Sequence, residues 1–487
     1  MNLTEKNYSL NYITLTINKF NSLKREKLVN KKGCSHKNNI DNFIFGLSIC
    51  FLLYCITCVL SETFSITMWR HDAIIHRDDD YTVNLIKEGR WLNYLIYPFL
   101  KQINPHLSTV VCLACLCFFG YKCAISLTSN KRISCLYSLS ILLIPNFYSF
   151  VGWPLVGLPA YILLAWAAYA YDKFSIYFVL GTSIVFLFGT QNNLCNLVPL
   201  LYLSKTKKLK GTINLITLWI VFYLAGYIVT LLMVRKFGHI WGLQIAEWRH
   251  PNVMASFDDV ITNIKVSYHC LKNHVHLFGH RIIFFILIFI LYRIIVGLKR
   301  SSNRNVNIYT VLLVLCIGIS CYVQALPMGL HVYDRSAHPL WIALISIGLI
   351  TFFYSKNIAV LFIVIVAYSN FFLSYGTIHF YATVGNVWTD YVNKIHVDPR
   401  TTNNVYLCMT DQDVSLSVKK IVNNNKLNNY MTEGLGAVYR LAPAFKDQGF
   451  KNIKMDHQNC KLLEANNSNN IFSYNYKDKD LFVWFNK

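Results

Sequence analysis

The chain has 487 residues, of which 54% are hydrophobic and only 14% are charged. A soluble protein carries roughly 25% charged residues, so the two or three soluble domains that length alone would suggest are set aside for a polytopic α-helical membrane protein. Lys and Arg number 46 against 24 Asp and Glu, a formal net charge of +22; basic residues of a membrane protein collect in cytoplasmic loops, no nucleic-acid motif is present, and no nucleic-acid partner is expected.

In chain order, residues 1–41 are polar and basic and lack an apolar core near the start, which predicts a cytoplasmic tail and not a cleavable signal peptide. Runs long enough to span a bilayer, about 17–25 residues each, fall at 42–61, 107–127, 133–152, 154–171, 174–190, 212–234, 281–298, 308–326, 339–354 and 357–375. A shorter one, 191–203, opens on Gln191, Asn192 and Asn193. Counting it as a span brings the basic clusters of the short loops to one side. These are Lys131–Arg132, Lys173, Lys205 to Lys210, Lys299 to Arg304, and Lys356. The positive-inside rule then predicts about eleven spans, the N-terminus inside and the C-terminus outside. The transmembrane region is 42–375. The outer loops are 62–106, 152–154, 235–280 and 327–338, joined outside by the tail 376–487. Trp69, Trp91, Trp153, Trp241 and Trp388 read as an interfacial aromatic belt.

The tail reads as a small extracytoplasmic α+β domain. Residues 403–409 alternate like a strand, 414–422 and 435–445 look helical, and 481–485 look like a closing strand. Cys408 and Cys460 both lie in it and could form a disulfide outside the cytoplasm. Most other cysteines sit in apolar runs as small hydrophobes.

Chemistry concentrates in the first outer loop. Asp78, Asp79 and Asp80 are followed about nine residues later by Gly89, Arg90 and Trp91. The run 91–100 (WLNYLIYPFL) is too short to span and reads as an interfacial helix that would hold the Asp cluster at headgroup depth. A carboxylate there can act as general base on a hydroxyl, and an Arg can pair bidentately with a phosphate. In the loop 327–338, Asp334, Arg335 and His338 precede a span. Arg335 is a second candidate for a phosphate and His338 for substrate contact. In 235–280, Glu247, Trp248, Arg249 and His250 form the most sugar-like cluster, since aromatic faces pack on sugar rings while charged groups bond hydroxyls. The histidines at 269, 274, 276 and 280 match no standard metal site, and no metal is expected. Gln191, Asn192 and Asn193 read first as helix-capping or interhelical amides, and second as sugar ligands. No Walker, GxSxG or HExxH motif is present, and the inner loops are too short for a nucleotide domain.

An outer loop with paired Asp (Asp79, Asp80) and a Gly89-Arg90-Trp91 opening a juxtamembrane helix resembles the Gtr-type O-antigen glucosyltransferases, the serotype-converting enzymes of enteric bacteria and their phages. Size, span number and the long outer tail agree with that family over the whole chain. The resemblance implies a GT-C-like fold in the bacterial inner membrane. It implies transfer of glucose from undecaprenyl-phosphate-glucose to a hydroxyl of lipid-linked O-antigen on the periplasmic face, with no cofactor. Membrane lipid, a glucosyl-lipid flippase and a lipid-glucose synthase are the implied partners. Asp78, Asp79 and Asp80 are the candidates for the base, Arg90 and Arg335 for the donor phosphate, and Trp91, Glu247, Trp248, Arg249 and His338 for substrate contact. Two alternatives stand beside it. An O-antigen polymerase or ligase would need a larger late outer loop than 327–338. A transporter or flippase would carry ionisable groups inside its spans, where this chain has few.

Overall fold

The structure, a computed structural model, describes residues 41–65, 81–100, 102–144, 154–245, 251–277, 308–333, 336–353, 355–425, 441–455, 460, 467–468 and 472–485. The chain divides into two compact units, 1–51 and 52–487. The first is described from residue 41, as the opening turns of helix α1 (Asp41–Ser65).

Among the described residues, five helices are long and apolar enough to cross a membrane: α1, α4 (Pro105–Thr128), α8 (Leu209–Gly238), Ile308–Met328 and Lys356–Asn393. They mark the chain as a helical membrane protein. Two short helices, α2 (Thr82–Glu88) and α3 (Trp91–Leu100), precede α4. Polar residues set the helix starts. Asn104 accepts hydrogen bonds from the backbone of His106 and Leu107, with Pro105 at the first position, where its missing N–H costs nothing. Asn130 caps α5 (Lys131–Ser140) in the same way.

Several predicted spans are shorter than expected. The segment 133–152 begins as α5, which tightens into a 3-10 turn at Ile141–Leu143. The next two are α6 (Pro154–Ala170) and α7 (Ile176–Phe188), with 17 and 13 residues. At 1.5 Å per residue, α7 reaches only about 20 Å, against a hydrocarbon core of about 30 Å. The predicted span 281–298 lies outside the described residues. The count of eleven thus takes in segments shorter than a spanning α-helix.

The short segment at 191–203 is a 3-10 helix, Asn192–Lys205, with 14 residues and Pro199 inside it. The run is not one straight helix, because the backbone leaves helical geometry at Tyr202, where φ is −107° and ψ 15°. Leu194, Cys195, Leu197, Val198, Leu200 and Leu201 are all fully buried. The segment is the centre of the bundle and packs on α4, α6, α7 and α8. It also packs on α10 (Ile308–Ala325) and α11 (His338–Thr351). Around it α4 lies on α5 and α6, α7 on α8, and α10 on α11. Lys122, inside α4, has its charge answered by Asp172, 2.9 Å away just past the end of α6.

In the loop between α8 and α10, helix α9 (Phe257–Leu277) is amphipathic. Phe257, Ile261, Ile264 and Tyr268 are exposed on it. Their spacing makes one stripe, of the kind that beds into a bilayer interface.

The last long helix, α12 (Lys356–Asn393), has 38 residues. At 1.5 Å per residue that is about 57 Å, nearly twice a hydrocarbon core. It runs unbroken through residue 376, where hydropathy predicts the end of a span. Its distal half carries Phe380, Val384, Trp388 and Val392 on one face, and these form the core of the C-terminal unit. Trp388 is therefore fully buried and not part of an interfacial belt. Packed on this face are β1 (Asn404–Leu407), α13 (Asp411–Asn424) and α14 (Ala442–Asp447). The sheet adds β2 (Ile453–Met455), β3 (Asn467–Ser468), β4 (Phe472–Lys477) and β5 (Asp480–Phe485), in the order β2-β1-β5-β4-β3. β1 lies parallel to both neighbours, while β4 pairs antiparallel with β5 and β3. Thr410 and Asp413 form a reciprocal capping box that starts α13.

Cys408 and Cys460 are joined by a disulfide across a sequence separation of 52. Closing a loop of that length removes about 4 kcal/mol of chain entropy from the unfolded state. Cys460→Ser is expected to lower the thermal stability of the C-terminal unit. An equal melting temperature for the variant and the wild type under oxidising conditions would contradict this.

Candidate functional site

Arg90, Trp91 and His338 are the predicted site residues that fall among the described ones. Asp78, Asp79, Asp80, Glu247, Trp248, Arg249 and Arg335 lie outside them.

The corner that carries Arg90 is built by Gly89. Helix α2 ends there, with Gly89 at φ 69° and its N–H donating to the Leu85 carbonyl. This left-handed conformation suits glycine. A Cβ at Gly89 would also come 2.6 Å from Cγ2 of Thr230 on α8. Gly89→Ala is expected to destabilise the fold by about 2 kcal/mol, from left-handed strain and overpacking together. Thermal unfolding in detergent measures it, and an unchanged midpoint would contradict it.

The corner places Arg90 beside Glu88, with Nη2 2.6 Å from the Glu88 carboxylate and only 14% and 18% of the two side chains exposed. Tyr81, fully enclosed just before α2, is the third member. Burial pushes its phenol above the ordinary range, opposed by the charge of Arg90 and by hydrogen bonds from Asn93 and Arg90. The ring of Tyr81 stacks on Tyr97 at 4.7 Å. Arg90 is thus oriented before any ligand arrives, and part of its guanidinium already faces a carboxylate.

Trp91 corrects the expectation of a substrate-facing ring. It is 4% exposed. Its indole lies directly over Gly189, where an added Cβ would come 2.3 Å from the ring. The backbone N–H of Leu92 donates to the Gly189 carbonyl at 2.9 Å. Trp91 therefore docks α3 onto the end of α7, and its face is not offered to a sugar. Asn93 is fully buried and donates to the Val156 carbonyl at 3.1 Å, tying α3 to α6.

His338 is the first residue of α11 and is 1% exposed, so it sits within the protein and not on an open outer surface. In the loop 235–280, Nδ1 of His274 is 2.6 Å from the Tyr322 hydroxyl. Sγ of Cys270 is 3.2 Å from Nδ1 of His331. These contacts fix α9 to the C-terminal end of α10 and the turn after it. Among the described residues, no three His, Cys, Asp or Glu gather closely enough to hold a metal.

Glu88 and Tyr81 escaped the sequence reading. Glu88 and Arg90 bracket a helix-ending glycine, and that spacing signals an ion pair across the corner. Tyr81 directly follows the Asp run. Far along the chain, Glu62 near the end of α1 lies 3.2 Å from Nδ1 of His379 and accepts from the Tyr375 hydroxyl at 3.3 Å. The Tyr375 and His379 rings on α12 are nearly parallel, 5.7 Å apart.

Compared with known protein families, characterised proteins and solved structures, the chain matches none.

Proposed function

We propose that this protein is a membrane glycosyltransferase of GT-C type. It moves a hexosyl group, glucose by the resemblance, from a polyprenyl phosphate to a sugar hydroxyl of a lipid-linked O-antigen. The observation that carries the reading is Arg90, held at the Gly89 corner by Glu88 and next to Tyr81. It stands at the foot of a short apolar helix and ten residues past the Asp78–Asp80 run. A fixed guanidinium, neighbouring carboxylates and a lipid-facing helix suit a lipid phosphate with an attacking hydroxyl beside it.

In the proposed reaction, Asp79 or Asp80 takes the proton of the acceptor hydroxyl. Its oxygen attacks the anomeric carbon, and the bond from that carbon to the phosphate oxygen breaks. The polyprenyl phosphate leaves with the electron pair, stabilised by Arg90 or Arg335. Direct displacement inverts the anomeric configuration. Phosphate is already a competent leaving group, so positioning and charge stabilisation are the protein's main contributions.

Two further observations support an outer-face site in a bacterial inner membrane. The Cys408–Cys460 disulfide suits an oxidising compartment for the C-terminal unit. The basic clusters of the short loops fall on one side when 191–203 is counted as a crossing. The in-span charge of Lys122 is paired at a helix end, which weighs against a transport pathway.

Expression of the full chain in a host of defined O-antigen, with the repeat unit weighed by mass spectrometry, tests the reading. A gain of one hexose per repeat is expected. Altered chain length with an unchanged repeat would mark a polymerase instead. Asp79→Asn and Asp80→Asn, compared with Asp78→Asn, identify the base. Full activity in all three at normal protein levels would remove the carboxylates from the mechanism.

A further inference from the structure

We infer that the exposed side of α9 is a binding surface for anionic phospholipid. Its apolar stripe lies in the bilayer, and Lys265 and Lys272 beside the stripe pair with headgroup phosphates.

At 3.6 residues per turn, the surface of α9 divides into three strips. Asn263, Ser267, Cys270 and His274 make the first, and all four are buried. This strip faces the protein through polar bonds. Asn263 Nδ2 donates to the carbonyls of Asn252 at 2.8 Å and Leu326 at 3.0 Å, and Asn263 Oδ1 accepts from Asn252 Nδ2 at 3.1 Å. Cys270 meets His331, and His274 meets Tyr322. The second strip is Phe257, Ile261, Ile264 and Tyr268, all exposed, with Phe257 at 77%. Val253 and Met254 extend it toward the start of the helix and are exposed too. The backbone there is pinned, since the N–H groups of Asn252 and Met254 donate to the carbonyls of Met328 and Pro327. Lys265 and Lys272 make the third strip, about two turns apart on one line next to the apolar one.

A surface helix of a water-soluble protein buries its apolar side and exposes its polar side. Helix α9 does the reverse: polar side chains hold it to the protein, and apolar ones face outward. That arrangement is favourable where the surroundings of the outward side are themselves apolar. The depth of the helix follows from its anchors. Tyr322, Leu326, Pro327 and Met328 belong to the C-terminal end of the spanning helix Ile308–Met328. So α9 is held at the level where a span leaves the hydrocarbon. A helix at that level meets acyl chains along one strip and headgroups along the next.

The lysines select the headgroup. Both are exposed, and a lysine stem can lie along the apolar strip while its ammonium reaches a phosphate. His269 is exposed beside them. The acidic residues of α9, Asp258 and Asp259, are confined to its first turn, where the helix dipole favours them. Asp259 is engaged locally: its Oδ2 accepts from the backbone N–H groups of Ala255 and Ser256 and from the Ser256 hydroxyl. Past that turn, the charge next to the apolar strip is positive. A basic residue at an anionic membrane surface gains about 1 kcal/mol, which corresponds to a preference of about fivefold for each lysine.

The test uses the full chain in nanodiscs of equal phosphatidylglycerol and phosphatidylcholine with identical acyl chains. The photo-crosslinking residue p-benzoylphenylalanine is encoded in place of Tyr268, and mass spectrometry of the irradiated protein identifies what lies against it. Phospholipid adducts are expected, with phosphatidylglycerol exceeding phosphatidylcholine by at least about fivefold. Adding Lys265→Gln and Lys272→Gln together leaves the apolar strip in place and should bring the two lipids to nearly equal capture. Capture of a second copy of the chain, or no lipid adduct at all, would overturn the inference. So would equal capture of the two lipids by the chain with both lysines, or an unchanged preference in a folded double variant.

Discussion

Arg90→Ala is expected to reduce hexosyl transfer by a factor of about a hundred or more, the usual effect of removing one group that stabilises charge developing in a transition state. The geometry says why this arginine should matter. Its guanidinium is held by Glu88 at 2.6 Å, and the corner beneath it is fixed by the left-handed Gly89. Little side-chain entropy is therefore left to lose when a phosphate arrives. Arg90→Lys keeps the charge but loses the planar fork, and should recover only part of the rate. Glu88→Gln supplies the other arm. It removes the carboxylate that holds the guanidinium in place, so the KM for the donor should rise at a normal protein level. If Arg90→Ala retains wild-type kcat/KM at a normal protein level, the donor phosphate is held elsewhere, with Arg335 the remaining candidate.

Trp91→Ala is expected to destabilise the fold by about 3 kcal/mol or more, within the range for emptying a large buried aromatic site. The indole fills the space over Gly189 and contacts Phe186 at a ring separation of 5.7 Å. Without it, α3 loses its main anchor on α7, and Arg90 loses the register in which Glu88 holds it. Gly189→Ala attacks the same contact from the other side, since its methyl would arrive 2.3 Å from the indole. Both variants should lower the unfolding temperature in detergent and reduce transfer together, while Trp91→Phe should retain most of the stability. A stable but inactive Trp91→Ala would instead mean that the ring contacts substrate directly.

Much of the helical framework was legible because membrane helices announce themselves by length and apolarity. The runs 42–61, 107–127, 212–234 and 308–326 each fall inside one long helix. Strand β1 was legible from alternation, β5 from its short apolar run, and the pairing of Cys408 with Cys460 from their isolation in the polar tail. Hydropathy misplaced the end of α12 because it registers lipid-facing apolarity. Beyond residue 375 the helix continues with polar residues between Phe380, Val384, Trp388 and Val392, whose four-residue spacing carries the signal instead. The 3-10 geometry of Asn192–Lys205 was hidden, since an apolar run with one proline reads alike in either helix.

The site was legible in part. The residues of the Gly89-Arg90-Trp91 motif stood out, but the work each does depends on partners that no local pattern reveals. Trp91 is buried because Gly189, distant in sequence, presents a bare backbone to it. His338 is enclosed because it begins a helix in which nearly every side chain is buried. Glu88 was overlooked because the motif was read from its glycine onward.

The most direct measurement of the central claim uses purified full-length protein with radiolabelled polyprenyl-phosphate glucose and a lipid-linked O-antigen acceptor, with no nucleotide present. The account predicts that label moves to the acceptor as polyprenyl phosphate is released in equal amount. Transfer that occurs only when a nucleotide sugar is supplied, or release of polyprenyl phosphate with no label on the acceptor, would contradict it.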